Sequence, residues 1–428
     1  MISYSDAVDY IENLVRFTEK HSPDHTRKCL EILGKPDSTY ESVHVAGTNG
    51  KGSTCAFLSS VFCASGIRCG RFTSPHLITM RERFALDDRT VSEDDFCRAF
   101  SEVMAAVKKA DKEGIPHPAY FEFLYLMACV IFRNAKVRIA VVETGLGGRL
   151  DATNTLDKPL VCVITSVGKD HMAYLGDTIP QIAAEKAGII KAGVPVVFDD
   201  TDSRVAEVIK RTAVSKGCPV FPLSECLLEE KEIRDDTIIA RGSCGDVYEI
   251  PFNAGYQIRN ASLAVKTACL LTGFEEITSE SIREGIANAS WRGRMQRLAP
   301  RVYADGAHNE DGIREFVLNA RRISEGGKAV LVFAAMSDKD YPRMIKNIAE
   351  DLHPARVITT TVEGGRAADG NVLADLFAGA GVPEVSFVPE ASDAVEKTGA
   401  PREDEFIFYV GSLYFIGEVL KIYGEKHD

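Results

Sequence analysis

The stretch Gly47–Thr54 reads GTNGKGST and follows the apolar, β-branched run SVHVAG at 42–47. A strand that ends in a glycine-rich turn and runs straight into a helix aims successive backbone N–H groups at one place, and the helix start adds partial positive charge. Such a nest suits phosphate. Lys51 supplies a point charge for β- and γ-phosphates, and Ser53 or Thr54 a hydroxyl for Mg2+. The spacing departs from the generic phosphate loop, which has a glycine five positions before the Gly of Gly-Lys and a Ser or Thr directly after the Lys. Here those places hold Val45 and Gly52.

Further residues with chemical potential sit where other strands should end. ETGLGGRLDATN (143–154) begins with Glu143, placed to hold a metal or substrate or else to pair with Arg149. TSVGKDHMAYLG (165–176) puts Asp170 and His171 just past a strand, and FTSPHL (72–77) supplies Ser74. In IPQIAAEKAGIIKAG (179–193), Lys186 lies among small and apolar residues. It is either a snorkelling surface lysine or a buried amine, which as a bare ammonium near a cation would be costly and as a carbamate would be an anion. GYQIRNASLAV (255–265), WRGR (291–294) and DGAHN (305–309) add Asn260 to read an adenine edge, Arg294 to neutralise a phosphate, and Asp305 to bind ribose or order water.

Positioning these groups requires strands that end at a common edge. SVHVAG, VRIAVVET (137–144), LVCVITSV (160–167) and VPVVF (194–198) are apolar without alternation, as strands covered on both faces are. Helical patterns at 51–65, 93–112, 120–134, 178–191 and 203–216 separate them, the βαβ order of a doubly wound sheet. The polar stretch 218–253 predicts a small antiparallel excursion, and helices return at 256–272 and 279–288. After SWRGRMQRLAPR (290–301) a second series begins, with strands expected at 302–305, 329–336, 356–361, 385–388 and 406–411. The expected fold is α/β with two doubly wound domains, 1–296 and 297–428, the first a larger ATPase-type domain of mostly parallel strands and the second smaller and Rossmann-like.

At 428 residues, 45% hydrophobic and 26% charged, the composition is that of an ordinary folded chain. A net charge of −12 disfavours general affinity for nucleic acid or anionic membrane, so an anionic substrate must be met by local cations. No apolar leader stands at the start, and the longest strongly apolar run, 123–132, is half a bilayer span. A cytoplasmic location is expected. Eleven cysteines form no C-x-x-C pair and read as buried free thiols.

Taken together, these blocks resemble the folylpolyglutamate synthase and dihydrofolate synthase family of the Mur ligase superfamily. Its loop form G-x-x-G-K-[GT]-[ST] fits GTNGKGS, and SPHL, YFEF (120–123), ETGLGGRLDATN, DHMAYLG, EKAGIIK, YQIRNASLA, WRGR, DGAHN, MSDKD (336–340) and VGSLYFIGEV (410–419) follow in order over residues 26–419. The resemblance implies ATP-dependent ligation of L-glutamate to a folate or dihydropteroate by a monomer, with two Mg2+ ions and no redox cofactor. It assigns the nucleotide to Asn49, Gly50, Lys51, Gly52, Ser53, Thr54, Asn260, Arg294 and Asp305. The metals fall to Ser53, Ser74, Glu143, His171 and a carbamylated Lys186. The pterin substrate falls to Tyr120, Phe121, Glu122, Leu150, Asp151 and Ala152. Lys51, Lys186 and His308 would act in catalysis. Departures from the family pattern are mild: Thr144 follows the glutamate where Val is common, and Glu310 stands where Pro is common.

Overall fold

The computed structural model describes residues 2–15, 21–234, 236–271, 273–362 and 366–425. The chain forms two compact units. The first comprises Met1–Glu232, Ile239–Pro251 and Gln257–Ser290; the second comprises Ile233–Ile238, Phe252–Tyr256 and Trp291–Asp428.

In the first unit the strands are β1 (Glu41–Ala46), β2 (Cys69–Phe72), β3 (Phe84–Leu86), β4 (Arg89–Thr90), β5 (Ile139–Glu143), β6 (Val161–Ile164), β7 (Val196–Phe198) and β8 (Val220–Pro222). They make one sheet in the order β4-β3-β2-β5-β1-β6-β7-β8. From β2 to β8 every pairing is parallel, while β3 and β4 are antiparallel at the edge. Strands β5 and β6 are buried at every residue, which is why their sequences are apolar without alternation. Register sets the chemistry: Val45 lies opposite Glu143, Ala46 opposite Ile164, and Phe72 opposite Val142. The loops that leave β1, β2, β5 and β6 therefore emerge at one sheet edge, where α/β proteins bind ligands.

Helix Tyr120–Asn134 is buried almost all round and joins Phe72, Phe84, Phe96 and Phe100 in the main core of this unit. A second core lies under Ile179–Ala187 and Ser203–Ser215, built from Ala183, Ala187, Ile189, Ile190, Phe198 and Ile209. Each buried large side chain stabilises by about 2 kcal/mol. The expected helix at 178–191 stops at Ala187, capped at its start by Thr178 and Gln181. That at 256–272 runs Tyr256–Leu270, Thr272 lying outside the described residues.

The polar excursion resolves into two parts. Val220–Pro222 joins the main sheet as β8, and β9 (Glu229–Arg234), β10 (Thr237–Arg241) and β11 (Val247–Ile250) form a separate three-stranded sheet. Two N-terminal helices, Tyr4–Glu12 and Pro23–Ile32, and the β3–β4 hairpin were not apparent in the sequence pattern. The hairpin turns on Asp87 and Asp88, both at positive φ, where glycine or asparagine would have signalled it.

In the second unit, β12 (Gln296–Ala299), β13 (Val302–Asp305), β14 (Lys328–Phe333), β15 (Arg356–Thr359), β16 (Val385–Phe387) and β17 (Glu405–Val410) form a sheet ordered β12-β13-β17-β14-β15-β16. Only β12 is antiparallel. Phe316, Phe333, Phe377 and Phe408 centre its core, with edge-to-face contacts between Phe316 and Phe408 and between Phe333 and Phe377.

Candidate active site

The loop after β1 is shaped by glycines at positive φ. Gly50 (φ +89°) stands at the start of helix Lys51–Ala64 and gives it no side-chain cap. A Cβ on Gly50 would lie 2.3 Å from Asn260 Oδ1, so no other residue fits without displacing that amide. The loop is tied to the end of β6: Thr48 N–H donates to Ser166 O (2.7 Å), and the Thr165 and Ser166 hydroxyls donate to Asn49 O (2.8 and 3.1 Å). Its carbonyls are thus held from behind, and the first-turn N–H groups have no intrahelical acceptor.

Two lysines meet this loop. Lys51 Nζ donates to Thr48 O (3.1 Å) and lies 3.7 Å from Glu143 Oε1. Glu143 is 2% exposed, and its Oε2 accepts from the Ser74 backbone N–H at 3.1 Å. A buried carboxylate without such partners would be costly. Arg149 pairs with Glu185 (2.9 Å), so the alternative pairing of Glu143 with Arg149 is not made. Lys186, 3% exposed, sends Nζ to Gly47 O at 2.6 Å, so it is buried and no snorkelling surface residue.

Ser53 Oγ accepts from Gln257 Nε2 (3.2 Å), and Gln257 Oε1 accepts from Asn260 Nδ2 (2.8 Å). Gln257 went unremarked in the sequence, although it stands in the same block as Asn260. Thr54 is fully buried, and its hydroxyl has no hydrogen-bond partner among the described residues. The Ser53 hydroxyl and the Glu143 carboxylate are hard oxygen donors that fit Mg2+. His171 offers a ring nitrogen, a poorer match; it sits at φ +50° with its backbone N–H donating to Asp170 Oδ1 (2.9 Å).

The second glycine-rich loop, after β5, behaves differently. Asp151 is 3% exposed and accepts from Leu146 N (2.8 Å), Thr153 N (3.0 Å) and Thr153 Oγ1 (2.6 Å). Because Thr153 spends its proton on Asp151, its oxygen accepts from His44 Nε2–H at 2.8 Å. Burial, with a smaller contribution from Lys191, pushes the His44 imidazole down to about 3, so it is neutral. Leu150 is half exposed and Ala152 buried. Tyr120 is buried beneath Arg83, whose guanidinium carbon lies 5.6 Å from its ring centroid. Phe121 stacks near Phe72 at 5.5 Å and fills the space where a Cβ on Gly145 would be. Glu122 turns inward: Oε2 accepts from Ala119 N (2.9 Å) and lies 2.9 Å from His21 Nδ1.

In the second unit Asp305 ends β13, fully buried. Its Oδ2 accepts from Tyr256 OH (2.7 Å) and Met295 N (2.8 Å), and its Oδ1 from Ala307 N (2.8 Å). Burial raises its pKa, opposed by Arg294 and these donors. His308 Nδ1 lies 2.8 Å from Gly306 O; a carbonyl only accepts, so that nitrogen carries the proton. Arg294 NH1 donates to Gly293 O (3.0 Å). A Cβ on Gly306 would fall 2.3 Å from Arg294 NH1, which places that guanidinium against the turn after Asp305.

Residues 293–413 match the Mur ligase glutamate ligase domain. Over 430 aligned residues the chain is 32% identical to the dihydrofolate synthase/folylpolyglutamate synthase of Bacillus subtilis, covering 98% of this chain and 99% of that one. The chain belongs to the folylpolyglutamate synthase and dihydrofolate synthase family. Within this family the structure resembles the folylpolyglutamate synthase of Thermotoga maritima, with a TM-score of 0.86 and 31% identity over 99% of this chain and 97% of that one. It also resembles E. coli FolC in complex with DHPP and ADP, with a TM-score of 0.87 and 26% identity over 100% and 99% of the two chains. The shared fold covers the stretch from 26 to 419 over which the ordered motif blocks run.

Proposed function

We infer that this chain joins L-glutamate to a folate carboxylate in an ATP-dependent ligation that releases ADP and phosphate. The observation that carries this reading is the uncapped helix start behind Gly50, with Lys51 held between the Thr48 carbonyl and the buried Glu143. A folate carboxylate oxygen attacks the γ-phosphorus of ATP, and the bond to ADP breaks, leaving an acyl phosphate. The glutamate amine then attacks the acyl carbon, phosphate leaves, and the nitrogen loses a proton to give the amide. The N–H groups at the helix start and the Lys51 charge face the phosphate oxygens as negative charge shifts among them. Holding carboxylate and phosphate together supplies much of the remaining acceleration.

Mg2+ held by Ser53 and Glu143, with Ser74 and His171 near the same sheet edge, would neutralise phosphate charge. A second ion would use a carbamate on Lys186. A carbamate keeps one N–H, so the hydrogen bond to Gly47 O can persist, and its carboxylate would supply anionic oxygens for the ion. Residues 1–296 would bind ATP through the loop and Asn260, and residues 297–428 would serve the glutamate-ligating role; Arg294 and Asp305 are assigned to the nucleotide and His308 to catalysis. Tyr120 to Glu122 and Leu150 to Ala152 would border the pteridine. The inward hydrogen bonds of Glu122 and Asp151 give these two a supporting part, with Tyr120, Phe121 and Leu150 closer to the substrate. We assign a monomeric, cytoplasmic enzyme. Separately, no helix among the described residues is long and apolar enough to cross a membrane.

A second reading, glutamate addition to dihydropteroate alone or in addition, is supported by the double name of the Bacillus subtilis relative. Purified protein incubated with ATP, Mg2+, glutamate and each pteridine separately should yield the glutamylated product by mass. Product from tetrahydrofolate alone, dihydropteroate alone, or both decides the substrate; no mass gain on any pteridine overturns the reading.

A further inference from the structure

The eleven cysteines are reduced, and most are buried, although Cys244 and Cys269 are exposed. Cys63 and Cys69 stand apart because their sulfurs are 3.5 Å from each other, the one thiol–thiol contact among the described residues. Cys63 lies in the last turn of helix Lys51–Ala64 and is partly open to solvent; Cys69 opens β2 and is fully buried. The turn between them passes through Gly66 at φ +69°. A disulfide spans about 2.05 Å, so the sulfurs need to approach by roughly 1.5 Å.

The surroundings favour a dithiol over a metal site. The third candidate ligand, Asp87, is already engaged: Oδ1 accepts from Cys69 N–H (2.9 Å) and Oδ2 from Arg68 NH1 (3.2 Å). A proton route also leads away from the buried sulfur. Ser59 Oγ donates its only proton to Asp88 Oδ1 (2.6 Å), so toward Cys69 it can only accept; the Cys69 sulfur lies 3.5 Å from that hydroxyl oxygen and 3.6 Å from the Ser59 carbonyl. Asp88, at the partly exposed hairpin turn, opens this chain to solvent.

We propose that Cys63 and Cys69 form a modification site that a small-molecule disulfide, such as glutathione disulfide, oxidises to an intramolecular disulfide. The accessible Cys63 gives up its thiol proton as its sulfur attacks the small disulfide, forming a mixed disulfide and releasing one thiolate, which takes up a proton. Cys69, giving up its proton through Ser59 toward Asp88, then attacks Cys63 Sγ and expels the second thiolate. Two protein thiols are oxidised, one small disulfide is reduced to two thiols, and the protons end on those thiols. The bond would clip the far end of the phosphate-loop helix to the strand that leads to Ser74.

The test is peptide mapping of the native protein after glutathione disulfide treatment, acid quench and alkylation. The expected result is a cross-linked pair of peptides carrying Cys63 and Cys69, no retained glutathione on either, and reversal by dithiothreitol. In Cys69→Ser the glutathione adduct should persist on Cys63. Both thiols remaining alkylatable in the wild-type protein overturns the proposal. So does stoichiometric binding of Cd2+ that protects both thiols and is lost in Cys63→Ser, which would make the pair a soft-metal site.

Discussion

Two glycine-rich loops leave neighbouring parallel strands at the same sheet edge, and they do opposite things with their polar groups. The loop after β1 braces its carbonyls with Thr165, Ser166, Lys51 and Lys186, and starts its helix at Gly50 with no side-chain cap. The loop after β5 caps itself: Asp151 takes the Leu146 and Thr153 N–H groups, and Thr153 anchors the segment to His44 on β1. Glycine content does not separate a ligand loop from a supporting one. What separates them is whether the loop contains the acceptor for its own N–H groups.

The largest expected effect is at Lys51. Lys51→Ala should lower turnover by roughly 10³-fold, because the charge serves the transferring phosphate, and should also cost some stability, because the buried Glu143 loses its cationic partner. ADP release at saturating substrates checks this; a loss of tenfold or less would erase the contrast between the loops. Asp151→Ala should act the other way, costing about 3 kcal/mol of stability from three lost hydrogen bonds to a buried carboxylate. Denaturant unfolding measures that cost, and the KM for the pteridine should rise while that for ATP stays near its starting value. A purely catalytic defect with unchanged stability would make Asp151 a substrate ligand.

Lys186→Ala should reduce turnover by about 10²-fold and recover in part with a short carboxylic acid, if a carbamate carboxylate is what the site needs. Rates with and without acetate decide it, unchanged turnover leaving Lys186 as a brace for Gly47 alone. A fourth prediction concerns pH. His44 has its folded pKa lowered to about 3, below the unfolded value, so the unfolded chain binds more protons and stability falls as pH drops. The loss begins near pH 6.5, continues toward 3, and amounts to about 1.4 kcal/mol per pH unit within that window. His44→Gln, which keeps a donor for Thr153, should remove that slope in unfolding measured from pH 4 to 6. An unchanged slope would mean that His44 is not the group titrating.

Much of this was legible in the sequence. Unbroken apolar runs marked β1, β5, β6 and β7 because strands covered on both faces need no polar alternation. The helices 93–112, 120–134 and 279–288 begin and end where their patterns do. The β3–β4 hairpin escaped because its turn uses two aspartates at positive φ in place of the usual Asn-Gly signal. Gln257 escaped because an isolated glutamine on a helix carries no pattern; only its 3.2 Å approach to Ser53 gives it meaning.

By itself, the amino-acid sequence determined the strand and helix order, the phosphate loop and the family, since these depend on local periodicity and on short motifs whose residues are adjacent in the chain. Tertiary structure alone decided the partners. That Lys51 meets Glu143 follows from parallel register between strands far apart in sequence, and that Lys186 reaches Gly47 follows from the packing of a distant helix against the same sheet. Burial then enforces those pairings, because an unmatched charge or N–H group behind the sheet edge has no water to turn to.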